Sequence, residues 1–139
     1  MDRVEMRPRL REERPPDDAT VVVRGGPDTA EKLQRHAVRT AAVWNLDGEP
    51  LYGISVFCAL DQIGPGSLDA ILLDKHSYRV VYLTTVKALT DAGFELLATG
   101  SRPHFTIRVQ PRPEDVERLL AVFGERRENP RSETKQGGR

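Results

Sequence analysis

The sequence predicts an α+β fold, a mixed sheet of about five strands covered by three or four helices. Three observations predict it. The run Leu51-Tyr52-Gly53-Ile54-Ser55-Val56-Phe57-Cys58-Ala59-Leu60 is nearly uncharged, rich in β-branched and aromatic residues, and bracketed by glycine and proline, so it reads as a buried central strand. Strand-like runs alternate with helix-period segments through the earlier part of the chain, which permits parallel crossovers. Two final strand-like runs flank Gly100-Ser101-Arg102-Pro103, the mark of an antiparallel hairpin.

Taken in order, Thr20-Val21-Val22-Val23-Arg24 is a short strand stopped by Gly25-Gly26. Asp28 with Glu31 matches a capping box, opening a helix with Leu33, Ala37, Thr40 or Ala41, and Trp44 on one face. Asn45 and Gly48 end it, and the central strand follows. After Gly64-Pro65-Gly66, Ser67 caps a shorter helix in which Leu68, Ile71 and Leu72 share a face. Tyr78 to Leu83 is a third strand. Thr84 or Thr85 starts a helical segment with Val86, Leu89 and Ala92, which stops at Gly93. Phe94 to Thr99 and His104 to Val109 form the hairpin. Pro113 sits in the first turn of a last helix that buries Val116, Leu119, Leu120 and Phe123 and ends at Gly124. The order is β-α-β-α-β-α-β-β-α.

Residues 1–19 and 125–139 are charged and poor in apolar side chains, so they read as flexible tails around a single globular domain, residues 20–124. Acidic and basic side chains number 21 each, giving zero formal net charge, so no global field draws the chain to nucleic acid or membrane. No window approaches the roughly 18 apolar residues of a membrane span. The N-terminus lacks the apolar core of a secretory signal. Cys58, the one cysteine, supports neither an internal disulfide nor a cysteine-based metal site. These features predict a cytoplasmic, soluble protein with no membrane partner.

Three places could carry chemistry. In Val23-Arg24-Gly25-Gly26-Pro27-Asp28 a strand runs through paired glycines into a helix start, a geometry that suits a phosphate or carboxylate, with Arg24 as the fork and Gly25 and Gly26 beside it. The blander reading is a tight turn, since neither G-x-G-x-x-G nor G-x-x-x-x-G-K-[ST] is present. Ser55 shares a strand face with Gly53 and Phe57, leaving room for a ligand or for a closely covering helix, the hydroxyl then bonded to backbone. No G-x-S-x-G elbow accompanies it. His104, at a loop-to-strand junction, is a further ligand-binding candidate. His36, His76 and His104 do not cluster, so no metal is expected. Cys58 reads as an inert core thiol. Lys32, Arg35 and Arg39 make a modest basic stripe without a recognition motif, which argues against a nucleic-acid partner.

At Val22-Val23-Arg24-Gly25-Gly26, Tyr52-Gly53-Ile54-Ser55-Val56, Ala88-Leu89-Thr90-Asp91-Ala92-Gly93-Phe94 and Pro103-His104-Phe105-Thr106, the chain resembles a group of small hypothetical proteins from actinobacteria. More loosely, it resembles ADP-ribosyltransferase-type toxins. Those place an arginine or histidine at the end of an early strand beside a glycine, a small hydroxyl residue on a second strand beside the nicotinamide, and an acidic residue on a later strand. That resemblance implies catalytic roles for Arg24, Ser55 and Glu95 and a use for NAD. The chain departs from the pattern in having one serine where Ser-x-Ser is expected and no partner carboxylate for Glu95.

Two functions from different classes follow. One is a non-catalytic, cofactor-free module that binds another protein, as one half of a paired system such as a toxin and its neutraliser. It requires an exposed apolar patch of several hundred Å². The other is a small NAD-dependent transferase or glycohydrolase. There Arg24 holds a phosphate, Ser55 lies near the nicotinamide ribose and Glu95 steadies the oxocarbenium-like centre, so the three must converge in one cleft.

Overall fold

A computed structural model of the chain describes residues 10–24, 29–46, 48–72 and 80–128, with Arg24 and residues 125–128 described by their backbone alone. The α+β fold is as expected. The elements are β1 (Thr20–Arg24), α1 (Ala30–Val43), β2 (Asn45–Leu46), β3 (Glu49–Pro50), β4 (Gly53–Cys58), α2 (Leu68–Ala70), β5 (Val80–Thr85), α3 (Val86–Asp91), β6 (Glu95–Leu97), β7 (His104–Arg108), α4 (Pro113–Leu120) and β8 (Glu125–Glu128). All nine expected elements occur in the expected order. The additions are the small hairpin β2–β3 and the strand β8.

One sheet of six strands runs in the order β6-β7-β4-β1-β5-β8. Every pairing within it is antiparallel, which corrects the expectation of parallel crossovers. A helix between two strands permits a parallel return without compelling one, and here α1 is followed by the β2–β3 hairpin before the chain re-enters the sheet beside β1. The sheet also takes in segments whose composition reads as tail. Residues 125–128 pair with β5 at one edge. At the other edge Leu10 bridges to Thr99, and the Arg11 amide donates to Ala98 O.

Alternation along the strands sets two buried layers. Val21, Val23, Ile54, Val56, Cys58, Phe105 and Ile107 face the larger core, shared with Leu33 and Ala37 of α1 and Val116 and Leu119 of α4. Val22, Val81 and Leu83 face a smaller core closed by Ile71 and Leu72. Cys58 points into the larger core, and burial pushes its thiol up to about 12, as an inert core residue requires. Among the described residues, no helix is long and apolar enough to cross a membrane.

The helix caps follow the sequence closely. Ser67 accepts from the Ala70 amide and Thr85 from the Ala88 amide. Thr29 is the N-cap of α1, accepting from Lys32 N at 3.2 Å, in place of the expected Asp28. Asp28 itself, with Gly25, Gly26, Pro27, His76 and Tyr78, lies outside the described residues.

Gly53 fixes how closely β4 and β7 approach. A Cβ there would run into Thr106 Cγ2 and lie 2.9 Å from the Ile107 carbonyl oxygen, which belongs to backbone and cannot rotate away. The atoms that meet this position belong to the paired strand β7, not to a covering helix. Gly53→Ala is expected to cost about 2 kcal/mol, the range of core overpacking, read as a lower urea midpoint with an unchanged slope.

Candidate functional site

Two adjacent central strands bring the two polar candidates together. β4 pairs with β7 so that Ser55 is opposite Thr106 and Phe57 opposite His104. Side chains two apart share a face, so Ser55, Phe57, His104 and Thr106 lie on one side of the sheet, away from the larger core. Ser55 Oγ and His104 Nε2 are 3.0 Å apart. His104 Nδ1 lies 2.9 Å from Thr99 Oγ1 and 3.1 Å from the Thr99 carbonyl oxygen. Thr99 Oγ1 is in turn 2.8 Å from Thr106 Oγ1. The His104 ring meets Phe57 edge to face, with centroids 5.3 Å apart.

The Thr99 hydroxyl can donate to Nδ1, with Nε2 then donating to Ser55 Oγ. The Thr99 carbonyl oxygen only accepts, so the tautomer that uses that contact carries its proton on Nδ1. In the neutral ring Nε2 is then the acceptor, and the Ser55 hydroxyl donates to it. Thr99 and Thr106 are buried, whereas Ser55 and His104 are half-buried and keep access to solvent. A hydroxyl aimed at a base whose far nitrogen is held by a third group is the arrangement that activates a nucleophile or relays a proton.

Arg24 and Glu95 take different places. β1 pairs with β4 through Val21–Cys58 and Val22–Phe57, and the same register carried two residues on sets Arg24 level with Ser55 on the neighbouring strand. Glu95 does not join them. It sits on edge strand β6, two strand spacings or roughly 10 Å from β4, with its exposed carboxylate 3.5 Å from Arg108. The fold thus brings together Ser55 and His104, with Arg24 beside them in register, and leaves Glu95 outside.

The segment before β1 holds the loop that presents His104. Arg11 Nη1 donates to Thr99 O at 2.8 Å and to Gly100 O at 3.0 Å, and Nη2 donates to His104 O at 2.9 Å. The same guanidinium lies 5.0 Å from the centroid of Phe105. Farther along the loop, Arg102 donates Nε to Glu13 at 2.8 Å and both terminal nitrogens to Asp61, at 2.6 and 3.1 Å. Gly66 lies directly under this clasp, where a Cβ would meet Asp61 Oδ2. Sequence reasoning named Ser55 and His104 but missed Thr99, Thr106, Arg11 and Arg102. For Thr106 a signal existed, a polar residue at period two with His104 in an apolar strand. Arg11 had none, buried in a charged stretch that reads as solvated.

The clasp makes the loop acid-sensitive. Burial pushes the Glu13 carboxyl up, but hydrogen bonds from Arg102 and Arg11 outweigh it and hold it below its ordinary value. The Arg102 hydrogen bonds hold Asp61 below its ordinary value too. A carboxyl depressed in the folded state stabilises that state above its unfolded value, and the contribution is lost as pH falls through the folded one. The stability difference between the wild type and Arg102→Ala is therefore expected to be full at neutral pH and to shrink below about pH 4. Thermal melts of both proteins across that range check it.

Among the described residues, no group of three histidine, cysteine, aspartate or glutamate side chains could hold a metal ion. Comparison of the chain with protein-family models, with curated proteins and with solved structures finds no match.

Proposed function

We propose that the chain is a small NAD-dependent transferase or glycohydrolase of ADP-ribosyltransferase type, with Ser55 and His104 at its reactive centre. The observation that carries the reading is the 3.0 Å contact between Ser55 Oγ and His104 Nε2 on adjacent central strands, one strand from the end of β1 where Arg24 stands. His104 serves as a general base, a part different from the steadying of the oxocarbenium-like centre that the family resemblance assigned to Glu95. Arg24 supplies positive charge for the pyrophosphate of NAD, and Ser55 hydrogen-bonds the nicotinamide ribose. The bond between ribose C1′ and the nicotinamide nitrogen breaks, and its electron pair leaves with nicotinamide. An attacking oxygen or nitrogen bonds to C1′ and gives up its proton to His104 Nε2, while Thr99 O steadies the ring as it becomes charged.

The interaction-module reading draws less support. Among the described residues the exposed large hydrophobic side chains are Leu10, Val38, Val43 and Ile63. They sit in three separate places: the segment that bridges to Thr99, helix α1 and the loop between β4 and α2.

A thermal-shift titration of the full chain with NAD and with ADP-ribose tests the reading. Ligand at a hundred times its dissociation constant is expected to add about 2.7 kcal/mol, a readily measured rise in melting temperature. Arg24→Ala is expected to abolish the rise. No rise with either ligand in the wild type would count against NAD binding and return attention to a protein partner.

A further inference from the structure

Where β7 leaves the sheet, three arginines line one small cleft of about 190 Å³. Arg108 ends β7, Arg112 is the N-cap of α4, and Arg118 lies on α4 itself. The buried carboxylate of Asp115 divides itself between two of them. Its Oδ2 accepts from Arg112 Nε at 2.7 Å and its Oδ1 from Arg118 Nη1 at 3.3 Å. One negative charge thus orients two positive ones. Arg118 is held again by lying over the Phe94 ring, 4.6 Å from its centroid. Arg108 meets Glu95 only at 3.5 Å, and Glu95 is outside the lining.

The charge count favours an anion. Three arginines against one aspartate leave an excess of two positive charges in the lining, or one if Glu95 is counted. Arg112, the cap residue of α4, lies in the lining, and the Asp115 and Val116 amides donate to its carbonyl oxygen. Glu114 and Asp115 in the first turn answer part of the helix dipole, but Asp115 is already committed to the two arginines. Guanidinium groups reaching one spot from a strand end, a helix cap and a helix face suit a tetrahedral oxyanion with several acceptor oxygens better than a planar carboxylate. The cleft is smaller than the roughly 300–1,000 Å³ of sites that enclose a whole small molecule. It has room for one charged group, with the rest of the ligand outside.

We infer that this cleft is a phosphate-binding site, taking free phosphate or the terminal phosphate of a nucleotide. It is separate from the Ser55–His104 pair, and the inference does not depend on NAD being a substrate.

Isothermal titration calorimetry of the full chain at low salt, with inorganic phosphate and with adenosine monophosphate, tests it. Saturable binding of at least one of the two is expected in the wild type, weakened tenfold or more in the double variant Arg108→Gln, Arg112→Gln. Arg108→Gln alone leaves the Asp115 unit intact and is expected to weaken binding severalfold, which keeps the test valid if the double variant melts early. Tighter binding of the nucleotide would assign the site to a phosphomonoester, and equal binding to free phosphate. Arg24→Ala is expected to keep this binding even where it loses any response to NAD, so the two sites can fail independently. Absence of binding in the wild type, or binding unchanged in both arginine variants, would overturn the assignment.

Discussion

Replacing Arg11 with alanine is expected to destabilise the protein by about 3 kcal/mol, lowering the melting temperature by roughly 10 °C. The side chain is 16 % exposed and gives charge-assisted hydrogen bonds to the carbonyl oxygens of Thr99, Gly100 and His104. Truncation removes all three donors at once and leaves the carbonyls dependent on whatever water can reach them. It also removes the cation above the Phe105 ring. These terms are not additive, since one guanidinium makes them all, so the expected loss is close to that of one strong interaction rather than three. Arg11→Lys is expected to recover only part of it, because a compact ammonium cannot span three acceptors in a fixed fork. Urea unfolding of the three proteins measures the effect. A loss within about 0.5 kcal/mol, the usual range for surface substitutions, would mean that the segment before β1 does not hold the loop.

The backbone elements were largely legible because local signals decide them. Thr20 to Arg24 reads as a strand and is one, since a valine triplet buried on both faces needs no distant information. Ser67, Thr85 and Pro113 mark helix starts by chemistry that acts within a single turn. Strand direction was not legible, because it depends on how the chain returns to the sheet. Nor was β8, whose Glu-Arg-Arg-Glu sequence carries no hydrophobic alternation and gains its order from the free edge of β5. At the site, Ser55 and His104 each stood out for a local reason. Their meeting is set by the β4–β7 register across 49 residues, and nothing near either residue announces it. Glu95 was named from an analogy of order along the chain. The sheet order puts β7 between Glu95 and β4, two strands from Ser55.

The proposed role of His104 supplies the second large effect. If His104 Nε2 takes the proton of the attacking group, His104→Ala removes a general base and is expected to slow turnover by about 10²–10⁴-fold. Loss of the ring also frees Ser55 Oγ and Thr99 from their shared partner, so the variant needs a stability check before its rate is read. Glu95, an exposed carboxylate paired with Arg108 on an edge strand, lies two strands from Ser55. Glu95→Gln is expected to leave the rate within a factor of two or so of the wild type, as a rim charge should.

The most direct measurement is release of nicotinamide from NAD, followed chromatographically for the wild type, His104→Ala and Glu95→Gln under one set of conditions. Release by the wild type, its loss in His104→Ala and its retention in Glu95→Gln is the predicted outcome. No release by the wild type above the rate in buffer, or full release by a folded His104→Ala protein, would contradict the assignment of Ser55 and His104 as the reactive centre.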